Sequence, residues 1–140
     1  MSALVVDASV VVKWFLPEIH SQAAGRILKS KREFLAPDLI WAEVTNTLWK
    51  KQLKRELSLE EASSILKDFL RFPIQTFSSR SLLDTAWVLS CQLDLSVYDG
   101  LYLALAVGHG CPLVTADRKF YELLQKESVG SKLIWVEDVK

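Results

Sequence analysis

Short apolar runs alternate along the chain with longer stretches whose apolar residues recur at helical spacing. The clearest run is LVV at 4–6, and apolar, β-branched runs of this kind are typical of strands buried on both faces. Because strands that alternate with helices form parallel sheets, the pattern predicts an α/β fold. Predicted strands lie at 3–7, 33–36, 73–77, 112–115 and 132–136, and predicted helices at 9–15, 18–30, 38–55, 58–71, 79–92, 96–108 and 117–126.

Several predicted helices follow a residue that can accept hydrogen bonds from the first helical turn. Two of these residues, Ser58 and Ser96, have an acid three positions later, Glu61 and Asp99 respectively, which is the spacing of a capping box. The GHGCP segment at 108–112 ends one helix and opens the next strand. The predicted starts are marked by Asp38 after Pro37, Ser58, Ser78 or Ser79, Ser96 and Asp117.

Composition limits the class of protein. The 140 residues, half of them hydrophobic, suffice for one core, so we predict one domain spanning 1–140. The longest apolar runs fall far short of the ~20 residues that cross a bilayer, and the amino terminus lacks a signal-peptide pattern, so we expect a cytoplasmic protein without membrane contact. Because 17 basic residues balance 17 acidic ones, nucleic-acid binding would depend on local patches. Cys91 and Cys111 lack disulfide or metal-ligand spacing and are predicted to be core thiols.

Two predicted strands are followed closely by a carboxylate. Asp7 ends the first strand in LVVDAS at 4–9, and Asp117 follows the fourth in LVTADRKF at 113–120. A carboxylate is costly inside a buried strand, so Asp7 should lie at the strand end. Open parallel sheets place their ligand sites outside the carboxyl ends of the strands. The sequence therefore predicts two carboxylates at one edge of the sheet.

Two further acids lie in apolar helices. Glu43 stands in PDLIWAEVTNTLW at 37–49 among residues predicted to face the core, where a glutamate needs a partner. Asn46 shares its helical face and could bind it or its ligand. Asp99 begins a nearly uniformly apolar helix in SVYDGLYLALA at 96–106. We hypothesise that four acids converge on one pocket: Asp7, Glu43, Asp99 and Asp117.

Four carboxylates in one cleft would repel one another and take up protons unless cations neutralise them. Oxygen ligands favour Mg²⁺ or Mn²⁺, and the sequence has no cluster of histidine or cysteine for zinc. Two such ions about 3.5 to 4 Å apart can activate water and stabilise the leaving oxygen of a phosphodiester. Taken singly, Asp99 and Asp117 also fit helix caps, and Asp7 could accept from the turn that begins at Ser9. Glu43 has no such alternative.

At these residues the chain resembles a PIN domain, and within that family the toxins of VapBC toxin-antitoxin pairs. Each matching segment is weak alone, but the four occur in family order and span nearly the whole chain. The resemblance implies a single three-layer α/β/α domain around a five-stranded parallel sheet, a homodimer and an antitoxin protein that blocks the site. The segments are VVDASVVVKWFLPE at 5–18, PDLIWAEVTNTL at 37–48, LSVYDGLYLALA at 95–106 and PLVTADRKF at 112–120.

The resemblance also implies a ribonuclease that depends on Mg²⁺ or Mn²⁺. Its catalytic, metal-binding acids would be Asp7, Glu43, Asp99 and Asp117, and Ser9, Asn46 and Thr115 match polar residues that line the site. Asp7 is the expected central ligand, Glu43 and Asp99 would ligate directly or through water, and Asp117 would serve a second ion or position water. Gly100 stands where the family usually has a small residue such as alanine.

An acidic site repels a polyanion, so nearby basic residues should hold the RNA backbone. Lys13, Arg118 and Lys119 are the candidates because they lie close in sequence to the predicted acids. Arg118 and Lys119 could equally be a solvated helix start. KKQLKRE at 50–56 is interpreted as an exposed helix end.

Most of the aromatic residues that could stack on bases are predicted to be core, since they fall among aliphatic residues at regular spacing. Trp14, Phe15 and Leu16 could instead form a partner surface. His20 and His109 lack companion ligands and receive no metal role. The aromatic set is Trp14, Phe15, Trp41, Trp49, Trp87 and Trp135.

Two alternatives remain open. A doubly wound phosphoryl-transfer enzyme would use Asp7 as a covalent nucleophile. A haloacid-dehalogenase-like member would need a second aspartate where Ser9 stands, and a receiver domain would need an aspartate in FSSR at 77–80 and a lysine after the last strand, whereas Lys132 precedes it. The other alternative is a catalytically silent PIN-like binding module that keeps the acids for structure or docking.

Overall fold

In the computed structural model, which describes residues 2–140, the five predicted strands form one parallel sheet in the order β3-β2-β1-β4-β5. The apolar run of β1 lies at the centre, buried between β2 and β4, as its composition predicts. Each predicted strand is confirmed to within two residues at either end. The strands are β1 Ala3–Val6, β2 Glu33–Pro37, β3 Gln75–Phe77, β4 Leu113–Thr115 and β5 Leu133–Trp135.

Helices cover both faces of the sheet and give the predicted three-layer α/β/α arrangement. The apolar helix α6 packs on β1, β2 and β4, and α5 packs on α6. Among residues 2–140, the helices are all too short or too polar to cross a membrane. The helices are α1 Ala8–Phe15, α2 Ser21–Lys29, α3 Leu39–Leu53, α4 Leu59–Leu70, α5 Ser79–Leu93, α6 Val97–His109 and α7 Arg118–Leu124, and two 3₁₀ turns span Ser128–Lys132 and Val136–Asp138.

The strand order reverses between β1 and β4. The chain continues from β1 to β2 and β3 on one side of the sheet, then returns to add β4 and β5 on the other. Neighbouring parallel strands whose connections leave in opposite directions open a crevice at their carboxyl ends. Asp7 follows β1 and Asp117 follows β4, so both stand at this crevice.

The predicted helix starts are largely confirmed. Ser58 and Glu61 form a complete capping box, and the hydroxyls of Ser78 and Ser96 accept from the first turns of α5 and α6. At the end of α6, Gly110 adopts a left-handed conformation with φ of 61°, which glycine permits without steric cost.

Asp38 is the exception among the starts, because its side chain makes no capping bond within α3. Its Oδ1 instead accepts from the backbone N and the Oγ of Ser79, the first residue of α5. The Ser79 Oγ in turn accepts from Leu39 N at 3.3 Å. The starts of α3 and α5 therefore cap each other.

Single side chains depart from their predicted environment more often than whole elements do. Trp14 and Phe15 are half-buried in an aromatic cluster with Phe34, Phe69 and Phe72, and Leu16 is buried, so much of their apolar surface packs within this chain. Trp49 and Trp87 were expected in the core but are 54% and 64% exposed. Cys111 is buried as predicted, whereas Cys91 is exposed.

Candidate functional site

Asp7 is the most enclosed carboxylate of the site. It ends β1, caps α1 and is only 7% exposed. Its Oδ1 accepts from the Ser9 hydroxyl and from Val10 N at 3.3 Å, and its Oδ2 accepts from Thr115 Oγ1 at 2.5 Å. Burial raises the pKa of Asp7 to about 7, although these hydrogen bonds act in the opposite direction. A carboxylate with both oxygens held by donors has a fixed orientation.

The two hydroxyls on Asp7 are themselves held by the loop that leaves β4. Ser9 Oγ accepts from Ala116 N at 2.9 Å, and Thr115 Oγ1 accepts from Asp117 N at 3.0 Å. Each hydroxyl thus donates to the carboxylate and accepts from the backbone, which fixes the direction of its proton. The start of α1 is thereby tied to the end of β4 across the crevice.

Glu43 lies half-buried on α3, and its partner is a residue that the sequence did not single out. Tyr102 donates its hydroxyl to Glu43 Oε1 at 2.5 Å. Burial raises the pKa of the Glu43 carboxyl, the Tyr102 hydrogen bond lowers it, and the charge of Asp99 raises it again. Asn46, the predicted partner, is exposed and makes no hydrogen bond with Glu43 among residues 2–140.

Tyr102 could have been found from helical spacing. It stands three residues after Asp99 and so shares a face of α6 with it. A buried tyrosine hydroxyl needs a hydrogen-bond partner, and Glu43 was the acid without a partner. The missing information was the position of α3 relative to α6, which only the fold supplies.

Asp99 stands in the first turn of α6 and lines one cleft with Asp117. Its backbone N donates to Ser96 Oγ at 3.1 Å, but within the described residues its carboxylate returns no bond to Ser96, so the predicted capping box is only half formed. Burial raises the pKa of Asp99, and the charge of Asp117 raises it further. Asp99 in turn raises the pKa of both Asp7 and Glu43. The structure therefore brings Asp99 within range of the charge of each of the other three acids.

Asp117 forms the outer end of this group. It is exposed and caps α7, with its Oδ1 accepting from Phe120 N at 3.2 Å. Together with Asp99 and Lys119 it lines a cleft of about 250 Å³. The cap interpretation and the site interpretation of Asp117 are thus compatible, because one oxygen serves the helix while the side chain borders the cleft.

The three predicted phosphate contacts have different surroundings. Lys119 is exposed and lines the acidic cleft. Arg118 has its guanidinium 3.9 Å from the centre of the Trp135 ring. Lys13 is largely covered and shares Glu18 with Lys51, at 3.5 Å and 3.4 Å, so its charge is partly balanced.

The donor set fits a hydrated, hard divalent cation. The acids offer oxygen ligands only, as Mg²⁺ and Mn²⁺ prefer. No group of three or more ligating side chains in residues 2–140 is close enough to enclose an ion, which disfavours a closed, all-protein site. Mg²⁺ usually keeps several waters and binds through one or two carboxylates together with substrate phosphates. The arrangement suits that mode of binding.

Comparison with known proteins agrees with this geometry. The family model of the PIN domain matches residues 4–124. Ribonuclease VapC3 of Pyrobaculum aerophilum is 36% identical over 121 residues, which are 85% of this chain and 92% of that protein.

Solved structures extend the likeness to the fold. The crystal structure of PAE2754 from Pyrobaculum aerophilum has a TM-score of 0.70 and 25% identity, and the match covers 97% of this chain and 85% of that one. A toxin-antitoxin complex from Klebsiella pneumoniae contains a chain of the same fold, with a TM-score of 0.64 and 15% identity over 99% of this chain and all of that one. The chain described here therefore belongs to the PIN domain family and, within it, to the VapC group.

Proposed function

We propose that this protein is a ribonuclease that hydrolyses RNA phosphodiester bonds with Mg²⁺ or Mn²⁺ held by Asp7, Glu43, Asp99 and Asp117. One observation supports it above the others: Asp99 lies within charge range of an acid from each of three other segments, Asp7 after β1, Glu43 on α3 and Asp117 after β4. A relative with 36% identity carries the name ribonuclease.

The four acids would have different roles, because they differ in burial and in hydrogen bonding. A bound divalent ion would supply positive charge that acidifies water and stabilises the leaving oxygen of the phosphodiester. Asp7, held in place by Ser9 and Thr115, would be the bridging or central ligand. Glu43 and Asp99 would ligate directly or through water. Asp117, on the exposed side, would serve a second ion or orient water.

Substrate binding needs a positive group beside these acids, because they repel phosphate. Lys119 meets that need, since it lines the cleft with Asp99 and Asp117. Arg118, stacked on Trp135, lies next to it in the chain and would contact the backbone further along the RNA. An RNA substrate makes the cytoplasm the proposed location.

The covalent alternative, with Asp7 as nucleophile, is less favourable. Both oxygens of Asp7 accept hydrogen bonds from groups fixed in the fold, and the side chain is buried. A nucleophilic oxygen must approach the phosphorus of a bulky phosphodiester in line, whereas a small cation can bind the lone pair that Oδ2 retains. A silent binding module, in contrast, would have the same geometry, so only an activity measurement separates it from a nuclease.

Partners follow from family membership. One solved chain with this fold belongs to a toxin-antitoxin complex. We infer that the present chain is likewise the toxin of such a pair, acts as a homodimer, and is blocked at the acidic cleft by its antitoxin.

The decisive experiment is cleavage of a mixed RNA pool by the purified protein with Mg²⁺ or Mn²⁺, with a chelator control. Asp7→Asn should lower the rate at least about 100-fold, while Asp68→Asn, an exposed aspartate on α4, should leave it unchanged. Full activity in Asp7→Asn would reject the metal mechanism. Metal binding without cleavage of any RNA would establish the silent module instead.

A further inference from the structure

Tyr102 is a buried phenol that the proposed chemistry does not use. It is only 2% exposed, on the helix that packs against β1, β2 and β4. Its single side-chain partner among the described residues is Glu43 Oε1, at 2.5 Å. A phenol is protonated at neutral pH, so the hydroxyl acts as the donor to the carboxylate.

The contact joins two helices that carry acids of the site. Asp99 and Tyr102 share a face of α6, one turn apart, and Glu43 belongs to α3. Glu43 has a flexible side chain and lies close enough to Asp99 to feel its like charge. Repulsion of this kind, together with the entropy of three rotatable bonds, favours rotation of Glu43 into solvent. The hydrogen bond from Tyr102 opposes that rotation.

The hydrogen bond from Tyr102 engages only one of the two carboxylate oxygens of Glu43. Oε1 accepts from Tyr102, while Oε2 has no hydrogen-bond partner within residues 2–140. An oxygen that is held in place but not engaged is suited to bind a cation or its water. Asp7 differs, because donors contact both of its oxygens, although Oδ2 accepts from Thr115 alone and keeps a lone pair for a cation.

We propose that Tyr102 is a positioning residue for the metal site: it holds Glu43 by Oε1 so that Oε2 stays free on the side of Asp99 for a divalent cation. This role rests on the proposed function. It differs from a purely structural one, in which the ring fills the core and the hydroxyl merely finds an acceptor. The two are separable because phenylalanine keeps the ring and removes only the hydroxyl.

The test compares Tyr102→Phe with Tyr98→Phe, a matched control on the same helix that is 62% exposed. Mn²⁺ affinity is measured by titration calorimetry without RNA, and folding by thermal unfolding. We expect Tyr102→Phe to weaken Mn²⁺ binding about tenfold and Tyr98→Phe to leave it unchanged. In RNA cleavage, kcat should fall in Tyr102→Phe while KM stays constant.

A double-mutant cycle with Glu43→Gln tests whether the effect passes through Glu43. If it does, adding Tyr102→Phe to Glu43→Gln should change Mn²⁺ affinity less than about twofold. In the metal-free protein, the carbon-13 signal of the Glu43 carboxyl should shift in Tyr102→Phe and not in Tyr98→Phe.

Two results would overturn the role of Tyr102 while leaving the proposed function intact. The first is wild-type Mn²⁺ affinity in a folded Tyr102→Phe protein. The second is a full, multiplicative loss in the double variant. Wild-type protein that neither binds Mn²⁺ nor cleaves RNA would instead overturn the proposed function, and the role of Tyr102 with it.

Discussion

The hydroxyl of Thr115 donates to Asp7 Oδ2 at 2.5 Å, joining residues 108 positions apart in the chain. Thr115 is fully buried at the end of β4, and its Oγ1 also accepts from Asp117 N at 3.0 Å. One side chain thus orients the buried acid and fixes the backbone beside the exposed one. The contact exists because β4 lies next to β1 in the sheet, where the strand order reverses.

Replacing Thr115 by valine should therefore destabilise the protein and weaken metal binding together. Valine keeps the volume but leaves Asp7 Oδ2 without its donor, at a cost of about 1 to 3 kcal/mol. The hydrogen bond from Thr115 lowers the pKa of Asp7, so that pKa should rise further in the variant. Urea unfolding and Mn²⁺ titration measure both effects, with Thr85→Val, an exposed threonine on α5, as control. Equal stability of the two variants would contradict the prediction.

Stability of the metal-free protein should fall as the pH rises from about 4 to about 7. Folding raises the pKa of Asp7 from 3.8 to about 7, so in this interval the folded protein holds a proton that the unfolded chain has released. The unfolding free energy then decreases with pH, by roughly 4 kcal/mol for a shift of this size, and levels off above pH 7. The raised pKa values of Glu43 and Asp99 add with the same sign.

Urea titrations across pH 4 to 8 measure this dependence. Asp7→Asn should flatten the curve and stabilise the metal-free protein at pH 8, whereas the exposed Asp68→Asn should follow wild type. Saturating Mn²⁺ should restore stability at high pH, because the cation binds the ionised carboxylates of the folded state. An unchanged slope in Asp7→Asn would show that other groups cause the pH dependence.

Gly100 is required because α5 packs closely against α6 at this position. The resemblance to the family did not reveal this role. A methyl group there would lie 2.9 Å from the backbone oxygen of Ala86 and would also collide with the Ser90 hydroxyl. Gly100→Ala should therefore destabilise the protein by about 1 to 3 kcal/mol despite the better helix propensity of alanine. Gly108, in the same helix, has open space around it. Gly108→Ala should stabilise the protein by about 0.5 to 1 kcal/mol. Thermal unfolding of the two variants therefore distinguishes the effect of helix packing from that of helix propensity.

The reciprocal cap of α3 and α5 should be visible as coupling between its two residues. Asp38→Ala removes the acceptor of Ser79 N and Oγ, and Ser79→Ala removes the group that caps Leu39 N. Each change should cost about 1 kcal/mol, and the double variant should cost less than their sum because both disrupt one contact. Additive losses in urea unfolding would show that the two helix starts are independent.

Local sequence patterns located the strands and helices because hydrophobic period and capping chemistry are properties of short segments. The largest deviation in an element is at α2, predicted from 18 but beginning at Ser21, where His20 takes a left-handed conformation with φ of 68°. Exposure was harder to predict. Helical spacing groups Trp49 and Trp87 with apolar neighbours, but it does not say whether another element covers that face.

The difference between what short segments determine and what tertiary packing determines also applies to the site. The strand-end positions of Asp7 and Asp117 follow from the order of elements, so their proximity was predictable. The partners of Glu43 and Lys13 depend on how the helices pack. Glu43 accepts a hydrogen bond from Tyr102, whereas the sequence suggested Asn46. Lys13 pairs with Glu18, whereas the sequence suggested the RNA backbone. Side-chain pairing across elements is a property of the folded chain and not of any one segment.

From those pairings we expect the basic residues to contribute unequally to RNA binding. Lys119 lines the acidic cleft, whereas Lys13 pairs with Glu18. One phosphate contact to single-stranded RNA contributes about fivefold in affinity at 0.1 M salt. Lys119→Gln should therefore raise KM about fivefold at that salt concentration with little change in kcat, and should reduce the salt dependence of KM by roughly one released ion. Lys13→Gln should have a smaller effect, and Lys126→Gln, an exposed lysine beyond α7, should have none. If Lys119→Gln and Lys126→Gln gave the same KM across a salt series, RNA would not pass along this side of the cleft.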